Sequence, residues 1–331
     1  GRPGTGVCDA GGVTQMAKFG APIPAPKKAP AKTTSIPISK TGNWVLHDKP
    51  YKINVWYSLT TGLVGQFPNA NEVIRAIKHV PFFVVAENLM TPTAMYADIV
   101  LPATTVYERN DISGAGEQAR NMIVAMHQLV PPQGECRDDY WITSELARRI
   151  GVFDAFTEGK TLEDWIRATY EKAAKTAELS LDTVPTFEEF WRSGILKFEP
   201  TESGRRFVDF EDFRNDPVGH PLQTPSGKIE IWSKKIESYG YADCLPHPAY
   251  FEPSEGFAQA TKEFPLALVA PKSVKRLHSQ LDEYANREPD GTQLREPLTI
   301  TRKDAEARGI GTGDVVLVRS RRGAALTRAV V

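Results

Sequence analysis

Cysteine is scarce in this sequence: Cys8, Cys136 and Cys244 are the only three in 331 residues. They stand far apart, and none forms a CxxC pair. That spacing speaks against an iron–sulfur or zinc site within the chain. An odd, sparse set is no disulfide framework either, and buried free thiols are the plain reading. Long apolar runs are lacking too; none approaches the roughly 20 residues of a membrane span. Excess charge of one sign is absent, with 40 Lys+Arg against 41 Asp+Glu and a formal net charge of −1. Nothing therefore pulls the chain as a whole toward nucleic acid or an anionic membrane. The opening "GRPGTGVCDAGG" has neither an initiating Met nor the apolar h-region of a signal peptide. The expectation is a processed chain or part of something longer. No GxGxxG follows a first strand, which disfavours a nicotinamide-dependent dehydrogenase. No Ser-His-Asp set or paired-carboxylate spacing stands out.

What is present is an ordinary globular composition, 41% hydrophobic and 24% charged, long enough for two or three domains. Residues 1–50 form a glycine- and proline-rich loop and linker, with "GAPIPAPKKAPAKTTSIPISK" reading as extended chain. Residues 51–215 read as an α/β domain with a helical extension. Within it "KINVWYSL" (52–59), "PFFVVAEN" (81–88) and "DIVLPA" (98–103) are buried strands. "NANEVIRAIKHV" (69–80) is a helix capped by Asn69 or Asn71, and "TPTAMYA" (91–97) a helical turn opened by Thr91 and Pro92. Strand, helix, strand, short helix, strand is the pattern of a doubly wound parallel sheet. Helices follow over 138–152, 161–177 and 186–194, the last two capped by Thr161 and Thr186.

Residues 216–262 comprise a hairpin, from the turn Pro225-Ser226-Gly227 and the alternating "KIEIWS", and a connecting segment. Residues 263–331 change texture to short strands and glycine turns, with one helix over "RKDAEARG" and a hairpin tip at Arg321-Arg322-Gly323. This is a separate β-rich, barrel-like domain.

One stretch carries the functional question. "TPTAMYADIVLPATTVYERND" (91–111) runs from a buried strand into Pro102-Ala103-Thr104-Thr105 and then charge. Ligands of open α/β sheets bind beyond the carboxyl ends of the strands. Proline stops the ladder there, small residues allow close approach and hydroxyls supply donors and acceptors. An ordinary strand-to-loop stop reads the same way. Glu108-Arg109 is expected to form a charge pair that fixes the loop, with Asn110 and Asp111 turning the chain.

The same stretch resembles the "TPTA..ADIVLPATT..ERND" segment of the dimethyl sulfoxide reductase family, molybdenum enzymes that carry bis(molybdopterin guanine dinucleotide). "HPLQTPSGKIEIWS", "GYADCLPHPAYFEP" (240–253), "RLHSQL" (276–281) and "EPLTITRKDAEARGIGTGDVV" (296–316) resemble further segments of that family in the same order. They look like its trimethylamine N-oxide, dimethyl sulfoxide and biotin sulfoxide reductase branch. The resemblance implies a doubly wound dinucleotide-binding α/β domain (51–215) followed by a double-psi barrel that binds the dinucleotide (263–331). It implies S-oxide or N-oxide reduction by oxygen-atom transfer, the redox work being done by molybdenum, or by tungsten in its place. It also implies that the chain is incomplete, the barrel being truncated and the metal-ligating side chain lying in an N-terminal portion or on a partner chain. The partners implied are a small-molecule oxide and an electron-donor protein; the compartment is the periplasm, with the cytoplasm as the other possibility. A transhydroxylase or dehydroxylase of the same superfamily is the alternative reaction, and a noncatalytic cofactor-binding or assembly module the alternative class.

The cofactor-binding residues carried by the resemblance are Glu87, Thr91, Asp98, Arg276, His278, Ser279, Gln280 and Asp304. Their chemistry suits the ligand: guanine N–H groups need carboxylates, a pyrophosphate needs cations and hydroxyls, and pterin ring nitrogens need polar partners. Three of them have a plainer reading as well. Glu87 reads as a surface carboxylate, Asp98 as a cap on "IVLPA" and His278 as a satisfied core histidine. The sequence departs from the family at Thr60-Thr61-Gly62-Leu63, where "GGNP" is common. It departs again at Glu87, usually Asp, and at Pro271-Lys272, where "HP" is typical. No catalytic residue or metal ligand is assigned within this chain.

Overall fold

The computed structural model describes residues 35–59, 61–114, 122–177, 184–197, 208, 210–253, 255–271 and 295–331. It is an α/β structure with parallel, antiparallel and mixed sheets, and it divides into two compact units, Gly1–Ile229 and Glu230–Val331. The division falls inside the segment assigned to a hairpin and connection.

Unit 1 holds the expected parallel sheet. Strands β1 (Val55–Leu59), β2 (Phe82–Glu87) and β3 (Ile99–Pro102) lie side by side in chain order. Tyr57 stands opposite Val84, and Glu87 opposite Pro102. Parallel neighbours require crossovers. The first runs through α1's neighbours: α1 (Thr41–Leu46) precedes β1, while α2 (Leu63–Gln66) and α3 (Ala70–His79) connect β1 to β2. The apolar positions of α3 recur at helical spacing, so Val73 and Ile77 bury against Phe83 and Val85 of β2. Asn69 occupies the N-cap with φ 59°, yet its side chain accepts no backbone N–H; its amide instead donates to Glu72 Oε2 at 3.2 Å. Helix α1 packs on α3 through Gly42, where a Cβ would sit 3.1 Å from Glu72 Oε1 and 3.3 Å from its carbonyl carbon.

A second sheet of unit 1 is not legible in the sequence reading. Strands β4 (Asp111–Gly114), β5 (Met122–Met126) and β6 (Ile195–Lys197) pair antiparallel in the order β4-β5-β6. Helices α4 (Asp139–Arg149), α5 (Phe153–Thr157), α6 (Leu162–Ala177) and α7 (Phe187–Ser193) fall between β5 and β6. The core here joins Ile123 and Ala125 of β5, Leu196 of β6, Tyr170 and Ala173 of α6, and Phe190 of α7. Phe190 stacks on Tyr170 with centroids 4.5 Å apart. Two expected caps are present: the Thr161 hydroxyl accepts from Asp164 N at 3.2 Å, and Thr186 forms a capping box with Glu189; Asp138, not read as a cap, accepts from Trp141 N at 2.8 Å. A short helix α8 (Glu211–Asn215) follows.

The hairpin read over 221–236 is corrected. The turn exists, with Gly227 N donating to Thr224 O and Leu222 N to Gly227 O, but no paired strand occupies 221–233. The chain enters helix α9 (Lys234–Glu237) instead. Alternation alone does not make a strand, because the ladder needs a partner, and Ile229 and Ile231 stand exposed without one among the described residues.

Unit 2 contains a three-stranded sheet in the order β7-β9-β8, from β7 (Pro297–Thr299), β8 (Val315–Arg319) and β9 (Ala324–Val330). β8 and β9 form the expected antiparallel hairpin, and β7 pairs with β9 in parallel. Helix α10 (Arg302–Glu306) starts at Thr301, whose hydroxyl accepts from Asp304 N. No described helix is long and apolar enough to cross a membrane.

Candidate functional site

The carboxyl edge of the parallel sheet is built from the ends of β1, β2 and β3. Glu87 closes β2 there, half-buried, and its Oε1 accepts the N–H of Asn88 at 3.0 Å. The residues beside it are small: Ala86 and Ala103 are buried, and Ala103 N donates to Glu87 O.

Thr91 follows in the loop from β2 and is buried. Its hydroxyl accepts the Ala94 N–H at 3.2 Å, and its carbonyl accepts from Met95 N. Thr93, which the sequence reading passed over, is also buried and ties its loop to the first turn of α2 by accepting Val64 N at 3.1 Å. Asp98 lies elsewhere: its carboxylate accepts Phe83 N at 2.7 Å while its own N–H donates to Phe83 O. It thus clamps the amino ends of β2 and β3, away from Glu87.

Asp304 belongs to unit 2 and serves its helix. Its carboxylate accepts the Thr301 hydroxyl at 2.7 Å, and Arg308 lies against it from the next turn. Arg276, His278, Ser279 and Gln280 lie outside the described residues. The structure thus brings Glu87 and Thr91 to one edge and places Asp98 at the other.

The loop leaving β3 is held differently from the expected Glu108–Arg109 pair, and this is a correction. The buried Glu108 carboxylate accepts Thr105 N (2.8 Å), the Thr105 hydroxyl (2.9 Å) and Gln133 N (2.8 Å). Arg109 turns to the Thr104 carbonyl at 2.9 Å and to Asp111 at 3.4 Å. Backbone N–H donors at short range satisfy a carboxylate without a cation, so the arginine is left to fasten the other side of the loop. Asn110 accepts Gln128 N, and the turn it makes delivers Asp111 into β4. The chain then returns beside β3. Ala103 bridges to Arg137 in parallel, and Thr104 N donates to Arg137 O. That contact sets the first turn of α4 next to the carboxyl edge.

The donors to Glu108, first the Thr105 backbone, then the Gln133 backbone and the Thr105 hydroxyl, hold its carboxyl below its ordinary range. The native state therefore binds this proton more weakly than the unfolded chain, so the loop's stabilisation is present above the ordinary carboxylate range and lost as pH falls through the native value. Glu108→Gln is expected to remove this acid-side loss of loop protection, which hydrogen exchange of the Thr105 and Gln133 amides at descending pH would check.

Comparison with known proteins places these features. Residues 24–149 match the family model described as molybdopterin oxidoreductase, and residues 266–331 match the molydopterin dinucleotide binding domain. The two matches, in that order on one chain, define a molybdopterin-type oxidoreductase chain that uses molybdenum with bis(molybdopterin guanine dinucleotide). Among similar proteins is the trimethylamine-N-oxide reductase of Haemophilus influenzae, 44% identical over 264 residues, which are 80% of this chain and 32% of that protein. Another is the dimethyl sulfoxide/trimethylamine N-oxide reductase of Cereibacter sphaeroides, 46% identical over 261 residues, 79% of this chain and 32% of that one. This chain belongs to the dimethyl sulfoxide reductase family of molybdopterin oxidoreductases. It spans about a third of the length of these curated relatives. A solved structure, acetylene hydratase from Pelobacter acetylenicus, has a similar fold, with TM-score 0.64 at 23% identity over 88% of this chain and 37% of that one.

Proposed function

We propose that this chain serves in a molybdenum-dependent reductase of S-oxides or N-oxides, and that its carboxyl sheet edge holds one end of the pterin dinucleotide. The observation that carries the reading is the donor set at that edge. A half-buried carboxylate, Glu87, stands among small neighbours, and carboxylates are the groups that accept paired guanine N–H donors. The names of the relatives support the substrate class.

When bound, molybdenum supplies the two-electron oxygen-atom transfer. This chain's residues bind and orient. Glu87 would accept from the guanine, and the Glu108 and Arg109 contacts hold the 104–111 loop that walls the edge. Thr91 and Thr93 fix the loop on the other side of Glu87. Asp98 and Asp304 act on this reading through the sheet and helix they secure. Arg276, His278, Ser279 and Gln280 remain assigned to pterin or phosphate. Unit 2, with its β7-β9-β8 sheet, is read as part of a double-psi barrel. The metal-ligating side chain comes from outside these residues, electrons come from a donor protein, and the compartment is the periplasm.

The test is elemental analysis of the protein purified from its native source, followed by turnover of sulfoxides and N-oxides with a reduced dye. About one molybdenum per active unit together with oxide-dependent dye oxidation is the expected result. Metal without oxide turnover would move the reading to a transhydroxylase or dehydroxylase. Absence of both molybdenum and tungsten would leave a noncatalytic cofactor-binding or assembly module.

A further inference from the structure

At Ala103, where the 104–111 loop leaves β3, lies a small apolar cluster with two buried polar atoms in its neighbourhood that the cofactor reading does not use. Ile142 of α4 packs with Ala86 and Ala103, and Tyr57 of β1 lines the same cluster. Asp139 precedes Ile142 by three residues, so both project from one face of α4. Two atoms in this region are buried without a hydrogen-bond partner: the Tyr57 hydroxyl and Asp139 Oδ1. An unsatisfied buried donor beside an unsatisfied buried acceptor is costly unless the carboxyl is neutral or a water bridges the two. Asp139 also interacts electrostatically with Arg109, whose guanidinium already serves Thr104 O and Asp111.

We propose that Asp139 is a proton-controlled latch on the 104–111 loop: neutral, it rests beside Tyr57, and ionised, it competes with Thr104 and Asp111 for Arg109. The groups that face it are Tyr57 from β1, Arg109 and Asp111 from the loop and the start of β4, and Asp138 from its own helix. Burial first, then Asp138 and Asp111, raise the Asp139 carboxyl above its ordinary range, against the opposing pull of Arg109. Burial and the nearby Asp139 likewise keep the Tyr57 phenol un-ionised to higher pH. A raised native value means that the folded chain favours the proton. The stabilisation is complete below the ordinary carboxylate range and is lost as pH rises through the native value. Glu108, on the same loop, acts in the opposite sense at lower pH, so the two effects separate.

The experiment is hydrogen exchange of the 104–111 amides in the whole protein at a series of pH values rising from below the ordinary carboxylate range, about pH 3, to about pH 8, corrected for intrinsic rates. In the wild type, protection of the loop is expected to fall severalfold as pH rises through the native value of the Asp139 carboxyl. In Asp139→Asn, which is permanently neutral, the fall should vanish. The idea is overturned if the variant shows the same fall as the wild type, or if the wild type shows none. Should the variant fail to fold, difference infrared spectra of the wild type decide. A protonated carboxyl band that disappears across this pH range, sensitive to Tyr57→Phe, supports the latch; its absence sinks it.

Discussion

Phe190→Ala is expected to destabilise unit 1 by about 4 kcal/mol, the range of aromatic-to-alanine truncations in a filled core. Phe190 is fully buried, with 0% exposure, and lies where the two helices α6 and α7 meet the β4-β5-β6 sheet. Its ring stacks on Tyr170 and meets Phe187, while Tyr170 sends its hydroxyl to Pro185 O at 2.6 Å. Removing the ring leaves a cavity that stiff aromatic neighbours cannot close. Tyr170 is held by its hydrogen bond and β6 by its ladder with β5. Urea unfolding should show a lower midpoint with an unchanged slope. A loss below about 1 kcal/mol would show that the site collapses freely and that the aromatic stack is not the keystone of this core.

The second large effect concerns the cofactor. Glu87→Ala should weaken retention of the guanine dinucleotide by about tenfold to a hundredfold, the worth of one or two hydrogen bonds to a charged group. Glu87→Asp should retain more, because it keeps the carboxylate at the strand end and shortens only its reach. The measurement is dinucleotide per protein after gel filtration, with thermal stability of the apoprotein followed in parallel. A variant that holds the dinucleotide as the parent does would remove Glu87 from the guanine site. It would leave the family membership intact, since that rests on the matched domains.

The contrast between Glu108 and Asp139 shows how one loop reads two carboxyl groups. Glu108 meets three short donors that hold its carboxyl below its ordinary range, while Asp139 has a buried oxygen without a partner and is held above its own. Environment sets the sense of each, by hydrogen bonding in the first and desolvation in the second. The two titrations are thus expected to act on the 104–111 loop in opposite senses.

The sequence by itself determined the parallel sheet and the helices α3, α4, α6 and α7, but not α1 (Thr41–Leu46), which lies in the stretch read as loop and linker. β1, β2 and β3 announce themselves as β-branched and aromatic runs bounded by turn residues. Thr161 and Thr186 read as caps because capping is a local interaction between residues three apart. The ordered motifs from Thr91 to Val316 were enough to place the chain in its family. Only the tertiary structure decided what depends on distant partners. β5 pairs with β6 across four intervening helices, and no local pattern announces so short a strand. "KIEIWS" alternates like a strand but finds no described ladder. Glu108 and Arg109 are adjacent and opposite in charge, yet each is better satisfied elsewhere: Glu108 by Gln133, 25 residues on, and Arg109 by a carbonyl five residues back. Asp98 and Glu87 flank one short stretch of chain but stand at opposite ends of the strands, because a strand about 3.3 Å long per residue separates whatever lies at its two ends.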